Sequence, residues 1–375
     1  MVSFVPVNEP LLNGNEKKYL CECIDTGWIS SEGPFVKRFE EDMCKFVGRK
    51  FATAVCNGTA ALELAVTALE LPIGSEVIVP TFTIVSCVQA ITNRGLKPVL
   101  VDSDPITWNM NIEQVEAKIN SNTSAIMVVH IYGLPVDMNP MIQLAKRNNL
   151  KIIEDAAEMH GQTYDDKECG SFGDISTFSF YPNKHITSGE GGMVLTDDPR
   201  LHERCQLLRN LCFEPSRRYY HREIGYNFRM TNMQAAVGVA QLEKIEEFIV
   251  KKRSIGKLYT QLLEDIEELQ LPLEKTDYSD NIYWVYGIIL DDRLPMDNTV
   301  FMEKLAQNRI GTRSFFWPMH EQPVFRNMGL FQNESYPVAE RIARRGLYLP
   351  SGLKITEEQI FFVAERVKKI VKEYR

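Results

Sequence analysis

A lysine near the middle of the chain is placed where it could form an imine with an aldehyde. Lys184 follows an apolar, strand-like run, and it lies about 30 residues after Asp155, which ends another such run. A lysine amine attacks a carbonyl carbon to form a Schiff base, and a carboxylate can hold a pyridine nitrogen in its protonated form. The pair therefore predicts the chemistry of pyridoxal phosphate (PLP), with Asp155 making the ring an electron sink.

A phosphate site is predicted at the start of a helix. The segment Asn57-Gly-Thr-Ala-Ala-Leu62 follows a strand-like run and opens a helical pattern. The unpaired N–H groups of a helix N-terminus attract an anion, Gly58 allows close approach, and Thr59 adds a hydroxyl. The segment matches neither a Walker loop nor a Gly-x-Gly-x-x-Gly dinucleotide site, so a monophosphate is predicted.

Each of these features has an ordinary alternative when it is taken alone. The phosphate segment could be a simple capped turn, and a loop lysine is usually solvated. Asp155 could cap a helix in which Glu158 completes a capping box. Ser179 precedes the lysine, and the glycines of Gly189-Glu-Gly-Gly192 let backbone pass close to a ligand. The order and spacing of all these groups favour one shared cofactor.

Composition excludes several other classes of protein. With 375 residues, 44% of them hydrophobic, the chain can bury a large core and favours two domains. Its formal net charge of -8, with lysines and glutamates intermixed, leaves no basic stripe for nucleic acid. No apolar run approaches the roughly 20 residues that span a bilayer, and the first residues do not resemble a signal peptide. We expect a soluble, cytoplasmic protein that binds neither nucleic acid nor membrane.

Metal-dependent and serine hydrolases are poorly supported. The eight cysteines are scattered without a pair of Cys-x2-Cys motifs, and the six histidines include no His-x3-His pair. The Gly-x-Ser-x-Gly elbow of many hydrolases is missing as well. We expect reduced structural cysteines and no bound metal.

Short apolar runs alternate with helical patterns between residues 50 and 200. The runs are apolar throughout, as in strands that are buried on both faces. Two of them, 175–180 and 192–195, have no helix between them, so the sheet is expected to be mixed rather than purely parallel. The other predicted strands are 52–55, 77–79, 98–101, 125–129 and 151–154, and the predicted helices begin at Thr59 and cover 85–93 and 141–146.

The C-terminal third predicts a second, smaller unit. One long helix, with Thr231 or Asn232 as its N-cap, is expected to connect the two parts. We place a large domain, with the N-terminal segment and the connecting helix, at 1–250 and a small α/β domain at 251–375. The remaining predicted elements are a strand over 284–290 and helices over 16–25, 299–308 and 356–374.

Motifs along nearly the whole chain resemble those of the DegT/DnrJ/EryC1/StrS family of PLP-dependent sugar aminotransferases. Together these motifs are highly specific. They are Trp28-Ile-Ser-Ser31 with Gly33-Pro34, Phe39-Glu40, Asn57-Gly-Thr-Ala-Ala-Leu62, Val79-Pro-Thr-Phe-Thr83, Val129-His-Ile-Tyr-Gly133, Ile153-Glu-Asp-Ala-Ala157, Gly173-Asp174, Phe178-Ser-Phe180, Asn183-Lys184, Gly189-Glu-Gly-Gly192, Gly225-Tyr-Asn-Phe-Arg-Met230 and Pro318-Met-His320.

The resemblance implies an α/β protein of fold type I, the aspartate aminotransferase-like fold. Its large domain would hold a mixed, mostly parallel seven-stranded sheet, and a smaller α/β domain would follow. Lys184 would bind the cofactor as an imine and later move protons between cofactor and sugar. Asp155 would pair with the pyridine nitrogen, and the phosphate would be bound by Gly58, Thr59 and Ser179.

The same resemblance implies a homodimer with shared active sites. Asn227 would reach the cofactor phosphate from the second subunit. Glu158 would lie beside the cofactor ring, near the sugar. Trp28, Arg229 and His320 fall in motifs that approach the nucleotide sugar, although a packed tryptophan and a surface histidine remain open as alternatives.

Two positions depart from the family pattern. Relatives commonly place an aromatic residue on the PLP ring where this chain has Ile84, so we expect weaker stacking by an aliphatic side chain rather than lost binding. Cys56 stands before the phosphate segment where serine is frequent, and a backbone contact there would survive the change.

The lysine also distinguishes two chemistries within the family. A related branch, the 3-dehydratases of keto-deoxy sugars, has histidine in its place. Here His185 is only its neighbour. The resemblance therefore implies transamination, in which L-glutamate leaves its amine on the cofactor as pyridoxamine phosphate and a sugar ketone then takes it.

The most detailed of these expectations concerns the substrate. Segments 102–108, 215–221 and 224–232 most resemble perosamine synthases, which aminate C4 of GDP-4-keto-6-deoxymannose. The alternatives are a 4-aminotransferase for UDP- or dTDP-4-keto-6-deoxyglucose with a viosamine-type product, a 3-aminotransferase, and a non-catalytic regulatory relative. The intact set of Lys184, Asp155 and Ser179 disfavours the last.

Overall fold

A computed structural model of the protein describes residues 4–214, 216–217 and 219–374. Pro215 and Arg218, which belong to the predicted segment 215–221, lie outside the described residues. The strands within these ranges are β1 (Phe51–Val55), β2 (Glu76–Pro80), β3 (Lys97–Val101), β4 (Thr123–Val129), β5 (Lys151–Asp155), β6 (Thr163–Tyr164), β7 (Lys167–Glu168), β8 (Ile175–Ser179), β9 (Gly192–Thr196), β10 (Leu269–Gln270), β11 (Tyr286–Leu290), β12 (Arg313–Ser314) and β13 (Gly346–Leu349). The α-helices are α1 (Glu16–Asp25), α2 (Pro34–Val47), α3 (Gly58–Ala68), α4 (Val85–Asn93), α5 (Ile112–Lys118), α6 (Met138–Arg147), α7 (Pro199–Arg209), α8 (Asn232–Leu242), α9 (Ile245–Leu263), α10 (Asn298–Gln307), α11 (Pro323–Asn327), α12 (Pro337–Arg345) and α13 (Glu357–Glu373).

Seven strands form the large sheet, in the order β1-β9-β8-β5-β4-β2-β3. The strands β3, β2, β4, β5 and β8 pair in parallel, whereas β9 is antiparallel to both β1 and β8. The expected mixed, mostly parallel sheet is therefore confirmed. The two runs without a helix between them are indeed the antiparallel pair β8 and β9.

Both faces of this sheet are buried under helices. Side chains alternate between the two faces along each strand. On β4, Ile126 and Val128 join a hydrophobic core with α2, α6 and α8, while Ala125, Met127 and Val129 join another core with α3, α4 and α7. All five side chains are at most 5% exposed. This burial explains why the strand sequences are apolar throughout.

A second sheet has four antiparallel strands in the order β10-β11-β13-β12. Helices α9, α10 and α13 supply residues to its core. The predicted domain boundary at residue 250 falls inside α9, where Ile249 packs in the core of the large sheet and Ile255 in that of the small sheet. The division into 1–250 and 251–375 stays a prediction.

The long helix expected after Thr231 is in fact two helices, α8 and α9. Thr231 is the N-cap, and its hydroxyl and the Gln234 side chain form a capping box. The break comes at Lys244, whose backbone (φ -109°, ψ 4°) leaves the helical conformation. At the junction the Glu243 carboxylate accepts hydrogen bonds from Tyr19 and Asn15, which ties it to α1. Periodicity did not reveal this break because the apolar spacing continues across it.

Two expectations concern the chain as a whole. Among the described residues, no helix is both long and apolar enough to cross a membrane. All eight cysteines are free, as expected for reduced structural thiols. The cytoplasmic location stays a prediction.

Lys252 is a buried cation that links α9 to the segments beside β11 and β13. It lies on α9, is 2% exposed, and donates hydrogen bonds to the carbonyl oxygens of Trp284 (2.9 Å) and Ser351 (2.7 Å). Burial lowers the pKa of Lys252 to about 7, and no carboxylate of the described residues pairs with it. A neutral amine can still donate both hydrogen bonds, so deprotonation does not break the link.

Replacement of Lys252 by Met is expected to change how stability depends on pH. The folded-state pKa lies below the unfolded one of about 10.4, so the unfolded chain binds more protons between them and stability rises with pH there. From pH 7 to pH 9, wild type should gain about 1–3 kcal/mol relative to Lys252→Met, in urea unfolding of the two proteins in parallel. Equal pH slopes would contradict a depressed lysine pKa; the exposed Lys97→Met variant is the matched control.

The strand order brings the predicted chemistry to one edge of the large sheet. Gly192 of β9 pairs with both Val55 at the end of β1 and Ser179 at the end of β8. Asp155 ends β5, the neighbour of β8. Ligands of open α/β sheets bind at the carboxyl ends of the strands. The fold therefore places the start of α3, the Asp155 carboxylate and the loop that carries Lys184 around one space.

Candidate active site

An open cavity of about 1050 Å³ lies at this edge. The large sheet forms its floor, and residues of β12 and the loop after it form a wall. A set of seven predicted cofactor and catalytic residues lines it: Gly58, Thr59, Ile84, Asp155, Glu158, Ser179 and Lys184. The structure thus brings together residues that are up to about 125 positions apart in the sequence.

Lys184 is held in a turn after β8. The carbonyl oxygen of the preceding residue, Asn183, accepts a hydrogen bond from the indole N–H of Trp284 (2.9 Å). The Lys184 Nζ lies 4.1 Å from the centre of the Trp284 ring and 3.9 Å from Oε1 of Glu158. Burial lowers the pKa of Lys184, although the charges of Glu158 and Asp155 oppose this shift. A lysine with a lowered pKa has more of the neutral amine that attacks an aldehyde.

Asp155 is a buried carboxylate, 3% exposed, at the end of β5. It accepts hydrogen bonds from the backbone N–H of Ala157 (3.1 Å) and the thiol of Cys87 (3.4 Å). Burial raises its pKa, while Ala157, Cys87 and the charge of Lys184 lower it. No described α-helix begins at this residue, so the alternative of a helix cap is wrong. A buried carboxylate of this kind stabilises a cationic partner, such as a protonated pyridine nitrogen.

Glu158 is oriented by a residue that the sequence did not single out. Its Oε2 accepts a hydrogen bond from the backbone N–H of Tyr132 (2.7 Å). Burial raises the pKa of Glu158, and the charge of Lys184 opposes that shift. Burial therefore favours the neutral forms of both Glu158 and Lys184, while their mutual attraction opposes it.

The start of α3 has the features of a phosphate site. Asn57 caps the helix by accepting a hydrogen bond from Ala60 N–H (2.8 Å). In the described structure the N–H groups of Gly58 and Thr59 donate no hydrogen bond to protein, so they can reach an anion. The Thr59 hydroxyl lies 2.7 Å from that of Ser86, a cavity residue that sequence reasoning missed.

The backbone at Gly58 is close to Ser179. A Cβ built on Gly58 would lie 2.8 Å from Cβ and 2.9 Å from Oγ of Ser179. The cradle for a phosphate therefore needs glycine at this position. Lys184, Asp155 and the cradle together fit an aldehyde, a ring nitrogen and a phosphate, the three groups by which a protein holds PLP.

Gly58→Ala is expected to lower the free energy of unfolding by about 1–3 kcal/mol, because the added methyl group overpacks against Ser179. It should also weaken PLP binding about tenfold, because the methyl group enters the phosphate cradle. Urea unfolding and titration with PLP measure the two effects. The same substitution in a Ser179→Gly background should cost much less stability. An undiminished cost in that background would show that Ser179 is not the obstacle.

Three predicted residues, and His320 as a fourth, do not line this cavity of their own chain. Trp28 is 49% exposed and is therefore not a packed core residue. Asn227 is exposed, and Arg229 donates a hydrogen bond to Asn210 Oδ1 (2.5 Å). Arg229 instead lines a separate surface cavity. A role of these three in a site of this chain alone is not supported by their positions.

His320 is not a surface residue. It is 1% exposed, and its ring nitrogens lie 2.8 Å from Thr81 Oγ1 and 3.1 Å from Glu340 Oε1. Its neighbours Met319 and Gln322 line the cavity, but His320 itself does not. Both ring nitrogens are engaged within the protein, which rules out the alternative of a surface histidine. The predicted contact of His320 with the substrate stays a prediction.

The cavity wall contributed by the C-terminal third was largely missed. Trp284, Arg313, Phe316, Trp317 and Tyr348 all line the cavity. They lie more than 95 residues after Lys184, in segments that carry no local signal of ligand binding. Only the fold brings them to the site.

Comparison with known proteins identifies the family. The model of the DegT/DnrJ/EryC1/StrS aminotransferase family matches residues 10–368. The chain belongs to this family. It is a PLP-dependent aminotransferase, and the lysine, carboxylate and phosphate cradle described above are the groups that fit PLP.

Two relatives in this family are GDP-perosamine synthases. The GDP-perosamine synthase of Escherichia coli O157:H7 is 42% identical over 368 residues, which is 98% of this chain and 99% of that protein. The GDP-perosamine synthase of Vibrio cholerae is 40% identical over 367 residues, 97% of this chain and 98% of that protein. These matches extend over both sheets.

A solved structure gives the same result for the fold. DesI, determined in the presence of its TDP-sugar product, superimposes with a TM-score of 0.88 and is 29% identical over 98% of this chain and 93% of that one. The predicted fold type I architecture is therefore confirmed.

Proposed function

We propose that this enzyme transfers the amino group of L-glutamate to C4 of GDP-4-keto-6-deoxymannose and so forms GDP-perosamine. The observation that carries the reaction type is the meeting of Lys184, Asp155 and the start of α3 in one cavity. The nucleotide and the sugar are supported by near full-length similarity to GDP-perosamine synthases at 40–42% identity. A nucleotide-linked sugar is also the product bound by the structural relative DesI.

The residues of this chain would act as follows. When bound, PLP supplies the electron sink and carries the amino group between the two substrates. Asp155 keeps the ring nitrogen cationic, and the start of α3 with Ser179 holds the phosphate. Lys184 Nζ would hold the aldehyde carbon of the bound cofactor until the donor amine takes its place. The freed Lys184 amine would then accept the proton from the donor α-carbon and, in the second half, donate a proton to sugar C4. Glu158 lies 3.9 Å away and is the nearest carboxylate partner for that amine.

A different nucleotide is the second candidate. The TDP-sugar in the DesI structure favours a dTDP- or UDP-linked 4-keto-6-deoxyglucose with a viosamine-type product. Assays with L-glutamate and a panel of GDP-, UDP- and dTDP-linked 4-keto-6-deoxy sugars distinguish these reactions. We expect the highest kcat/KM for the GDP-linked sugar, with the amino product identified by mass spectrometry. A higher value for a UDP- or dTDP-linked sugar would replace the proposed substrate.

We further propose a homodimer in which the second subunit completes each active site. The predicted site residues Trp28 and Asn227 are exposed on this chain, and Arg229 is half-buried. None of the three lines this chain's own cavity, so a partner is needed to bring them to one.

Mixing of two inactive variants tests the shared site. Lys184→Ala and a double variant, Asn227→Ala with Arg229→Ala, each lack one half of the site. A mixed dimer regains one intact site, so refolding or exchange of equal amounts should restore up to about a quarter of wild-type activity. If the mixture stays inactive although mixed dimers form, the residues do not act across the interface.

A further inference from the structure

The charges of the cavity are unevenly distributed. Its lining includes the carboxylates of Glu63, Asp155, Glu158 and Glu190, and the lysine and arginine side chains among the described lining residues are Lys184 and Arg313. Lys184 binds the cofactor and transfers protons, so it is not free to hold a substrate anion. Arg313 is therefore the cation available to hold an anionic part of a substrate.

Arg313 has no acidic partner within the described structure. It lies on β12, is exposed, and stands opposite Tyr348 of β13, with its guanidinium near the Tyr348 hydroxyl. Nearby arginines are different: Arg341 pairs with Asp292 (3.0 Å) and Arg344 with Glu321 (2.6 Å). An arginine without a carboxylate, directed into a substrate cavity, is suited to bind an anion from solution.

A short chain of contacts links Arg313 to the reacting amine. Tyr348 lies beside Trp284, with ring centres 6.4 Å apart, and the Trp284 ring lies 4.1 Å from Lys184 Nζ. The pKa of Tyr348 is raised mainly by burial, and it responds to the charges of both Arg313 and Glu158. Tyr348 and Trp284 thus connect the arginine to the pair of Lys184 and Glu158, and all of these residues line the same cavity.

We propose that Arg313 binds the α-carboxylate of the amino donor. This assignment rests on the proposed transfer from an α-amino acid. The α-carboxylate is attached to the carbon whose amine reacts, so it must lie near Lys184. The diphosphate of a nucleotide sugar is attached to C1, and the hexose ring separates it from the reacting C4. A planar guanidinium also matches a carboxylate with two parallel hydrogen bonds.

The donor half of the reaction tests this proposal without any sugar. Enzyme loaded with PLP is mixed with L-glutamate, and the conversion of bound cofactor is followed by absorbance over a range of donor concentrations. Loss of two charge-assisted hydrogen bonds should raise the half-saturating donor concentration about 100-fold in Arg313→Gln, with partial retention in Arg313→Lys. Arg341→Gln, outside the cavity, is the matched control and should behave as wild type. Circular dichroism and cofactor absorbance establish that each variant is folded and loaded.

Two further measurements identify which anion is bound. L-Glutamine keeps the α-carboxylate and lacks the side-chain carboxylate, so equal losses with both donors support the assignment. A loss with L-glutamate alone would move Arg313 to the side-chain carboxylate and overturn it. The second measurement is the affinity of the Arg313→Gln variant for the GDP-sugar, with the cofactor in its amine form and tryptophan fluorescence as the signal. This affinity should be close to that of wild type. Weakened sugar binding with a normal donor half-reaction would also overturn the proposal. A wild-type enzyme that reacts with these donors but aminates no nucleotide sugar would refute the proposed sugar substrate and leave the Arg313 result interpretable.

Discussion

Lys184→Ala is expected to lower kcat by at least about 10,000-fold while the protein stays folded. Lys184 both binds the cofactor aldehyde and moves the proton, and proton transfer by a positioned side chain alone is worth about 100- to 10,000-fold. The side chain is 10% exposed and hydrogen-bonds no backbone group in the described structure, so its removal leaves no unpaired partner except Glu158. Stability should therefore change little compared with activity.

Absorbance and unfolding experiments separate these two effects. Wild type should absorb as a PLP imine and bleach with borohydride, which fixes the cofactor to a peptide containing Lys184. Lys184→Ala should show neither property and should unfold at nearly the wild-type urea concentration. Lys97→Ala, an exposed lysine on β3, is the control for removing a lysine. Normal turnover by Lys184→Ala would refute the assigned role.

The large sheet and its cofactor groups were predictable from sequence because their signals are local. Each strand is a short apolar run, and its polar residue, such as Asp155 or Ser179, follows directly. The start of α3 has its own signature in Asn57 and Gly58. Once the strands are placed side by side, the carboxyl ends meet at one edge, so the site follows from the fold class.

The rest of the site was not predictable because its residues are positioned by tertiary contacts. Arg313 lies on a two-residue strand, and nothing in its neighbourhood distinguishes it from other surface arginines. Tyr132 acts through its backbone N–H, a group that every residue except proline carries. His320 is the reverse case, a residue that the sequence did single out. Its motif predicted a substrate contact, and the fold buries its ring between Thr81 and Glu340. Residue type and spacing do not predict which side chains of a loop are buried against other segments and which face the cavity.

Glu154 and Asp155 show how one strand separates a structural carboxylate from a functional one. Successive side chains point to opposite faces of the sheet. Glu154 is fully buried on the face away from the cavity, where it pairs with His130 (3.2 Å) and accepts backbone hydrogen bonds from Phe172 and Gly173. These partners lower the pKa of Glu154, although burial opposes them. Asp155 faces the cavity and has weaker partners, so it can still engage a ligand.

Asp155→Asn is therefore expected to lower kcat about 100- to 1,000-fold with little loss of stability. An amide does not hold a pyridine nitrogen in its protonated form, so the negative charge that develops at the reacting carbon loses its electron sink. The amide is nearly the same size, and it can still accept the hydrogen bond from Ala157 N–H. Cofactor should stay bound through Lys184 and the phosphate cradle, so borohydride trapping should still label the protein while the rate of the L-glutamate half-reaction falls.

Glu154→Gln is the matched comparison, one residue away on the same strand. It removes the charge that His130 and the three backbone N–H groups of Gly170, Phe172 and Gly173 share. About 2–4 kcal/mol of stability should therefore be lost. The variant that remains folded should keep kcat within a few-fold of wild type, because Glu154 does not line the cavity. The opposite pattern, with slow chemistry in Glu154→Gln and a normal rate in Asp155→Asn, would mean that the cofactor nitrogen is held from the other side. We therefore expect Glu154→Gln to lose stability and Asp155→Asn to lose rate. This difference follows from the alternation of side chains along β5.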